Sequence, residues 1–206
     1  MNRHQPMFAV AAAFASASLS SAMMIFNELA SGDLSNNAAL PTFLPVDLGS
    51  NFLFGTVSSQ DRDYFTLRLP PGTALASILL RQSDGVQDTF LGLQAGSSFT
   101  EPPQAANLTR TLGYTTFFPS DVNTDLLPRL ADAPEAIGFS GPLAGIDFTF
   151  WVEQKHTSPA AYDFEFIIVG IPSPGAWVLG LAGLGMSLWS TRRSRSIATM
   201  PNQPRD

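Results

Sequence analysis

Apolar and polar residues alternate in several short runs along the middle of the chain. In residues 63–69, Phe65, Leu67 and Leu69 share one face of an extended strand, and the more polar residues between them share the other. Such alternation is typical of a strand that packs one face on a core. The same alternation occurs in 147–154 and 162–169, the run 74–81 is apolar on both faces, and shorter candidates are 51–57, 89–94 and 113–118.

These runs predict an all-β domain, an antiparallel β-sandwich or jelly roll, over residues 23–170. Sixteen prolines and sixteen glycines in the chain supply the turns that separate the strands. Within this region a helical turn is predicted only at residues 124–130, inside a polar loop over residues 120–142. The predicted domain is flanked by an N-terminal signal helix and a C-terminal single transmembrane helix.

Residues 1–22 have the order of a secretory signal peptide. Arg3 supplies the positive charge, residues 7–17 form an uncharged, alanine-rich run, and small residues allow cleavage after Ala22. A second set of small residues at 15–17 is the alternative cleavage position. An ordinary N-terminal helix is the competing interpretation, because the apolar run is only moderately hydrophobic.

The C-terminal region combines an apolar run with a basic cluster. Residues 176–190 carry no charge and predict one membrane-spanning helix, with tryptophans near both ends that suit the membrane interface. Arg192, Arg193 and Arg195 follow, and basic residues beside a span tend to stay in the cytoplasm, so these arginines should stop export. A polar tail over residues 196–206 ends the sequence. The main body would then lie on the outer side of the membrane.

A short proline motif, Ile171-Pro172-Ser173-Pro174, precedes the apolar run and is kept extended by its prolines. The order of proline motif, apolar helix and basic cluster over residues 171–195 resembles the PEP-CTERM sorting signal of Gram-negative bacteria, in which a glutamate usually stands at the position of Ser173. The resemblance implies an exosortase-type membrane protease as partner, and export to the cell envelope or extracellular matrix with a role in exopolysaccharide or biofilm. A plain C-terminal membrane anchor that is never cut is the alternative.

A second resemblance covers about half of the body. Residues 55–67 and 69–73 resemble the Gly-x-Val turn, Asp-Tyr-Phe strand and Pro-x-Gly-Thr turn of the bacterial pre-peptidase C-terminal domain. Residues 148–154 and 162–166 are similar to the last two strands of that domain. The resemblance implies an accessory β-sandwich module of a secreted protein without catalytic activity, and some of these modules bind calcium or polysaccharide.

Charge and cysteine content exclude several classes of function. Between residues 23 and 170 the chain has six basic and sixteen acidic residues, a formal charge of −10. A surface of this sign repels phosphate backbones, so nucleic acid is not an expected partner. The chain has no cysteine, which excludes a disulfide scaffold, a thiolate metal site and a cysteine nucleophile.

Few residues could support catalysis, and we expect no enzymatic activity. His156 lies in a polar run between two predicted strands, and a serine–histidine–aspartate triad would have to use it. The sequence has no Gly-x-Ser-x-Gly nucleophile elbow. Trp151 falls on the polar face of its strand, where an exposed ring could stack on a sugar, although an aromatic residue at a sandwich edge more commonly only packs.

Loop aspartates make calcium the one cofactor considered. Asp61 and Asp63 lie at the start of one predicted strand, and Asp84 and Asp88 lie in the turn after another. Neither pair has the spacing of an EF-hand loop, and turn aspartates also serve simply to accept backbone hydrogen bonds. The leading prediction is therefore a non-enzymatic exported envelope or matrix protein without a cofactor. The alternative is an exported carbohydrate- or calcium-binding module.

Overall fold

The computed structural model of the protein describes residues 22–84, 88–101, 108–154, 156 and 158–172. Strands dominate this part of the chain, and no helix within it is long and apolar enough to cross a membrane. The strands are β1 (Met23–Asn27), β2 (Thr42–Pro45), β3 (Gly49–Val57), β4 (Arg62–Arg68), β5 (Thr73–Ser83), β6 (Thr89–Ala95), β7 (Gly113–Phe117), β8 (Leu143–Ala144), β9 (Asp147–Gln154) and β10 (Ala160–Gly170). The helices are α1 (Glu28–Ser31) and α2 (Leu127–Ala131), with 3₁₀ turns at Leu108–Arg110 and Pro119–Asp121.

The described strands form two five-stranded sheets that share one apolar core, a β-sandwich-like arrangement. The first sheet has the order β1-β3-β10-β5-β8 and the second has the order β2-β4-β9-β6-β7. Most neighbours are antiparallel, as predicted, but β1 runs parallel to β3 and β2 runs parallel to β4. The sheets are therefore mixed. Each parallel edge strand reaches its partner by a long crossover, residues 28–48 or 46–61, which an alternation pattern cannot reveal.

Aromatic rings from the two sheets meet in the core. The ring of Phe166 on β10 lies 5.5 Å from that of Phe150 on β9 and 6.0 Å from that of Phe65 on β4. Phe117 on β7 lies 5.4 Å from Phe164 on β10. All five side chains are fully buried, which confirms the inward faces predicted for β4, β9 and β10. Tilted ring pairs of this kind contribute about 0.5–1.5 kcal/mol each beyond the area they bury.

The outer face of the second sheet is also covered. Two loops fold over it and are joined by a hydrogen bond of 2.8 Å from Phe99 N to Ala38 O. Beneath them Trp151 and Tyr64 stack with ring centroids 6.0 Å apart. Trp151 is only 3% exposed, so its ring offers no free platform for a sugar. The alternation pattern assigned Trp151 to the outer face correctly, but the pattern could not show that loops cover that face.

Residues 120–142, predicted as a loop with one helical turn, protect the edge of β5. The predicted turn corresponds to α2. Leu80 N donates to Thr124 O at 3.1 Å, and Ile78 N donates to Asp125 Oδ1 at 2.9 Å. The two-residue strand β8 pairs only with the beginning of β5. A strand edge that is occupied in this way does not offer a template for pairing with another chain.

Strands β4 and β10 run in the same direction and define two ends of the sandwich. Their first residues meet where Tyr162 Oη donates to Asp63 Oδ2. Beyond their last residues, Ile171 N donates to Gly72 O at 2.8 Å, and the described chain leaves the domain. The end at the first residues of these strands is called the acidic end, and it is defined by Glu28, Asp33, Asp61 and Asp63. The end beyond their last residues is called the exit end, and it is defined by residues 46–48, 69–72, 145–146 and 169–172.

Candidate metal centre

The N-terminal segment contributes two carboxylates to the acidic end. Asn27 caps α1, because its side chain accepts a hydrogen bond from the backbone of the first turn at 3.0 Å, and this cap fixes the position of Glu28. Gly32 follows the helix with a φ of 86°, a conformation that glycine adopts without steric cost. The turn at Gly32 directs Asp33 back toward the sandwich.

The turn between β3 and β4 contributes a third carboxylate, Asp61, and the start of β4 contributes the fourth, Asp63. Ser58 and Asp61 exchange backbone hydrogen bonds of 3.2 and 3.3 Å, which close a tight turn. Asp63 is the second residue of β4 and points away from the outer-face neighbour Tyr64, as alternation along a strand requires. The turn therefore places Asp61 and Asp63 beside the N-terminal segment.

Three carboxylates of the acidic end converge on one point. One oxygen from each of Glu28, Asp33 and Asp63 lies within 4.8 Å of the others. Ligand oxygens lie about 2.3–2.6 Å from a calcium ion, so two ligands on opposite sides of the ion are about 5 Å apart. The three oxygens are thus close enough together for a single calcium ion to contact all of them.

Hydrogen bonds hold Glu28 in this position. Its Oε2 accepts from Thr56 N at 2.6 Å and from Thr56 Oγ1 at 2.8 Å, and its Oε1 accepts from Leu34 N at 3.0 Å. Thr56 belongs to β3, so Glu28 joins the N-terminal segment to the first sheet. A carboxylate oxygen has two lone pairs, and Oε1 therefore retains one that can bind a cation.

Asp63 is fully buried, but only one of its two oxygens is hydrogen-bonded. Tyr162 Oη donates to Oδ2 at 2.5 Å. Oδ1 is buried and has no hydrogen-bond partner among the described groups. An unsatisfied buried acceptor costs about 1–3 kcal/mol, more when it is charged. Coordination of a cation by Oδ1 would remove this cost.

Gly55 makes room for the tyrosine that orients Asp63. A Cβ atom at position 55 would lie 2.5 Å from both Cζ and Oη of Tyr162, far inside normal contact distance. Burial raises the pKa of Tyr162 well above its usual value, and the charge of Asp63 adds to the effect. The phenol therefore stays protonated at neutral pH and acts as a hydrogen-bond donor to the carboxylate.

The acidic end is electrostatically unfavourable without a bound positive charge. The pKa of Asp63 is raised to about 9, mainly by burial; the Tyr162 hydrogen bond opposes this rise, and the charges of Glu28, Asp61 and Asp33 add to it. Burial also raises the pKa of Glu28 and that of Asp61, and the charge of Asp33 adds to both shifts. The carboxylates therefore favour uptake of either a proton or a cation.

Arginine does not neutralise this cluster in the part of the chain that the structure describes. Arg62 is adjacent in sequence to two of the acids, but it pairs with Glu153 at 2.8 Å across the β4–β9 ladder. The donors that face one another at the acidic end are carboxylate oxygens, which suit hard cations such as calcium, magnesium or manganese better than zinc.

The structure separates the two aspartate pairs that the sequence suggested for calcium. Asp61 and Asp63 lie together in the acidic end. Asp84 is elsewhere, where its Oδ1 accepts a hydrogen bond from the backbone of β10 at 2.6 Å. Asp88 lies 3.6 Å from His156 Nε2 on the surface. Only the first pair therefore shares a site with other carboxylates in the described ranges.

Sequence reasoning missed Glu28 and Asp33. Both precede the first predicted strand, and they reach the site only because β1 pairs with β3 at the edge of the first sheet. Local spacing carries no information on that long-range pairing. The one available signal was Gly32, since a glycine between two acids in a polar stretch indicates a turn.

The predicted sorting signal is described only at its beginning. Ile171 and Pro172 are exposed at the exit end. The remaining residues of that prediction lie outside the described residues, namely Ser173, Pro174, the apolar run 176–190, Arg192, Arg193, Arg195 and the tail 196–206. Residues 1–21 of the predicted signal peptide lie outside them as well.

No protein-family model, curated protein or solved structure matches this chain. The two resemblances noted in the sequence therefore stay predictions. The case for a function depends on the residues of the chain itself and on the geometry of the acidic end.

Proposed function

We propose that this chain is an exported, non-enzymatic cell-envelope protein whose β-sandwich binds calcium at its acidic end. The observation that carries the calcium assignment is the buried carboxylate of Asp63. Its Oδ1 lacks a hydrogen bond, and one oxygen of each of Glu28 and Asp33 lies within 4.8 Å of an oxygen of Asp63. Water molecules would complete the six to eight oxygens that calcium prefers.

The location in the envelope is supported by the sequence at both ends of the chain. Residues 1–22 have signal-peptide order, and residues 171–195 resemble a PEP-CTERM sorting signal. On this proposal an exosortase-type protease cuts near Ile171–Pro174 while the apolar run 176–190 holds the precursor in the inner membrane. Extracellular polysaccharide of a biofilm is then the expected surrounding of the released domain.

The absence of enzymatic activity is supported by the setting of His156. Its side chain is 43% exposed and lies 3.6 Å from a surface aspartate, Asp88. A general base works best where water is excluded and a nucleophile lies within hydrogen-bond reach. His156→Ala should therefore leave both the fold and any hydrolase activity of a preparation unchanged, and loss of a reproducible activity in this variant alone would contradict the proposal.

Terbium luminescence tests calcium binding directly. Terbium occupies calcium sites and emits when a nearby aromatic ring transfers energy to it, and the ring of Tyr162 contacts Asp63. The protein, freed of metal with EDTA, should give saturable emission that calcium displaces much more effectively than magnesium. A Kd for calcium of about 0.1–1 mM is expected, the range of extracellular calcium modules.

Two variants serve as test and matched control. Asp63→Asn keeps the shape of the side chain but removes its charge, and should abolish the emission. Asp88→Asn removes an exposed aspartate outside the cluster and should leave the emission unchanged. If neither variant alters calcium binding, or if wild-type protein binds no calcium at millimolar concentrations, the carboxylates hold protons and the calcium assignment is wrong.

A mass measurement tests the sorting part of the proposal. Protein isolated from its own cells should occur as a membrane-bound precursor and as a shorter form that ends near residue 174. Replacing Arg192, Arg193 and Arg195 by serine should reduce the amount of the shorter form, because basic residues stop export at the membrane. If the protein always retains residues 176–206, a plain anchor is the correct description.

A further inference from the structure

Four large apolar side chains are exposed at the exit end. Leu48 is 50% exposed, Ile146 is 65% exposed, and Val169 and Ile171 are exposed as well. They belong to three different parts of the chain, namely the link before β3, the link before β9 and the last residues of β10 with the residues that follow. Their common location follows from the shared direction of β4 and β10.

Hydrogen bonds fix these segments relative to one another. Ile146 O accepts from Leu69 N at 2.7 Å, and Ile171 N donates to Gly72 O at 2.8 Å. Residues 69–72 therefore connect the link that carries Ile146 to the last residues of the described chain. Val46 N donates to Arg68 O at 3.3 Å and so holds the link that carries Leu48 beside the same residues.

Charge at the exit end is low. Arg68 and Asp147, which adjoin this end, neutralise each other through two hydrogen bonds of 2.9 and 3.1 Å. Among the residues that define the exit end, Asp47 is the one charged residue. The acidic end carries four carboxylates. An anionic membrane surface therefore repels the acidic end and tolerates the exit end.

The exit end is also where the chain continues toward its apolar run. Only Ser173, Pro174 and Gly175 separate Pro172 from the start of the run at Ala176. At about 3.5 Å per extended residue, the span from Pro172 to Ala176 is at most roughly 14 Å. A bilayer that holds the run 176–190 would therefore lie against the exit end.

We propose that the exit end rests on the membrane surface, with Leu48, Ile146, Val169 and Ile171 against the lipid, so that the acidic end faces away from the bilayer. This inference depends on the membrane anchoring in the proposed function and is independent of the calcium assignment. The occupant is a lipid bilayer, because the adjoining apolar run brings a bilayer to this end and keeps it there. The contact would hold the domain in one orientation while the motif at residues 171–174 is presented for cutting.

Site-specific fluorescence can test this contact in the full chain, because the protein has no native cysteine. Single cysteines at Leu48 and Ile146 report on the exit end. Cysteines at Leu29 and Leu40, which are 82% and 73% exposed and lie toward the opposite end, serve as matched controls. Each variant carries a polarity-sensitive dye and is reconstituted into vesicles of phosphatidylethanolamine and phosphatidylglycerol that contain a spin-labelled lipid.

Dyes at positions 48 and 146 should shift their emission to the blue and be quenched by the spin-labelled lipid. Dyes at positions 29 and 40 should emit as they do for the free protein. If the chain floats with the vesicles but all four dyes behave alike, the contact is wrong and the anchor stands. If the chain does not float with the vesicles, both the anchor and the contact are wrong.

Discussion

The two ends of the sandwich are opposite in character although the same strands connect them. Strand β3 runs from the exit end to the acidic end, and the distance from Gly49 to Thr56 is roughly 23 Å at about 3.3 Å per residue. At the acidic end, four carboxylates lie close together, and one of them, Asp63, is fully buried. At the exit end, Arg68 and Asp147 pair with each other and four large apolar side chains face solvent. Strand alternation fixes the core between the ends, whereas turns and crossovers decide the chemistry at each end.

The largest effect is expected from a substitution in the aromatic core, which lies between the two ends and supports both. Phe166 is fully buried and contacts rings on two strands of the opposite sheet, Phe65 on β4 and Phe150 on β9. Phe166→Asp loses about 3–5 kcal/mol of packing before the cost of the buried charge is counted. Because domains are typically stable by about 5–15 kcal/mol, the variant should be unfolded by circular dichroism at 25 °C. Leu40→Asp, at an exposed position, is the control and should melt like the wild type.

The inner strands and the edge strand β7 could be predicted from the sequence, whereas the edge strands β1, β2 and β8 could not. β4, β5, β9 and β10 coincide with the predicted runs because each has a buried face and turn residues at its limits. β1 and β2 were missed, since both are short and pair in parallel at an edge. Parallel pairing is determined by contacts that lie far apart in sequence.

The same limit applies to the candidate sites. Asp61 and Asp63 were candidates because a turn precedes β4, but their partners Glu28 and Asp33 depend on the placement of β1. The exit end was hidden for a related reason, because Leu48 and Ile146 lie in links that have no periodic pattern. Only the assembled sandwich brings them to one place.

A pair of glycine substitutions tests how tightly each end is packed. In Gly55→Ala the new Cβ would lie 2.5 Å from the ring of Tyr162, so the ring that orients Asp63 must move. Overpacking of this kind costs about 1–3 kcal/mol. Gly170→Ala at the exit end places its Cβ in open space and should be nearly neutral. Thermal melts should therefore show a lower Tm only for Gly55→Ala, and equal melting of both variants would contradict the packing described for the acidic end.

The pH dependence of stability should come from the acidic end. The folded pKa of Asp63, about 9, lies above its unfolded value near 3.9, so between these values the folded state binds more protons than the unfolded state. Without calcium, stability should thus be greatest at low pH and should fall as pH rises, by at most about 1.4 kcal/mol per pH unit for this group. Melts in EDTA from pH 5 to 9 should show this decline.

Two comparisons identify the source of the decline. The asparagine in Asp63→Asn does not ionise, so this variant should lose most of the dependence of stability on pH. Asp147→Asn at the exit end should leave that dependence unchanged. Saturating calcium should restore stability at high pH, since a bound cation favours the ionised carboxylates. A wild-type curve that rises between pH 5 and 9 in EDTA would mean that Asp63 is already ionised in the folded protein.

The smallest effects come from two ion pairs that differ in location and in exposure to solvent. β4 carries Arg62 near the acidic end and Arg68 at the exit end, and each pairs across the ladder with an acid on β9, Glu153 at 2.8 Å and Asp147 at 2.9 Å. The side chain of Arg62 is 23% exposed and that of Arg68 is 53% exposed. Water competes more effectively for the second pair, and salt screens it.

Arg62→Gln should therefore destabilise the protein by roughly 1–2 kcal/mol, because a half-buried carboxylate loses its charged partner. Arg68→Gln should lower the Tm by less than Arg62→Gln, although Arg68 makes two hydrogen bonds to Asp147 and lies 4.2 Å over the ring of Phe43. Added salt should reduce the loss that remains. Both variants lie on the same strand and lose a pair with the same partner strand, so a smaller loss for Arg68→Gln reports the greater exposure of that pair. Equal losses in both variants would mean that the exit end is as shielded from water as the acidic end, and the contrast between the two ends would then be limited to their carboxylates and apolar side chains.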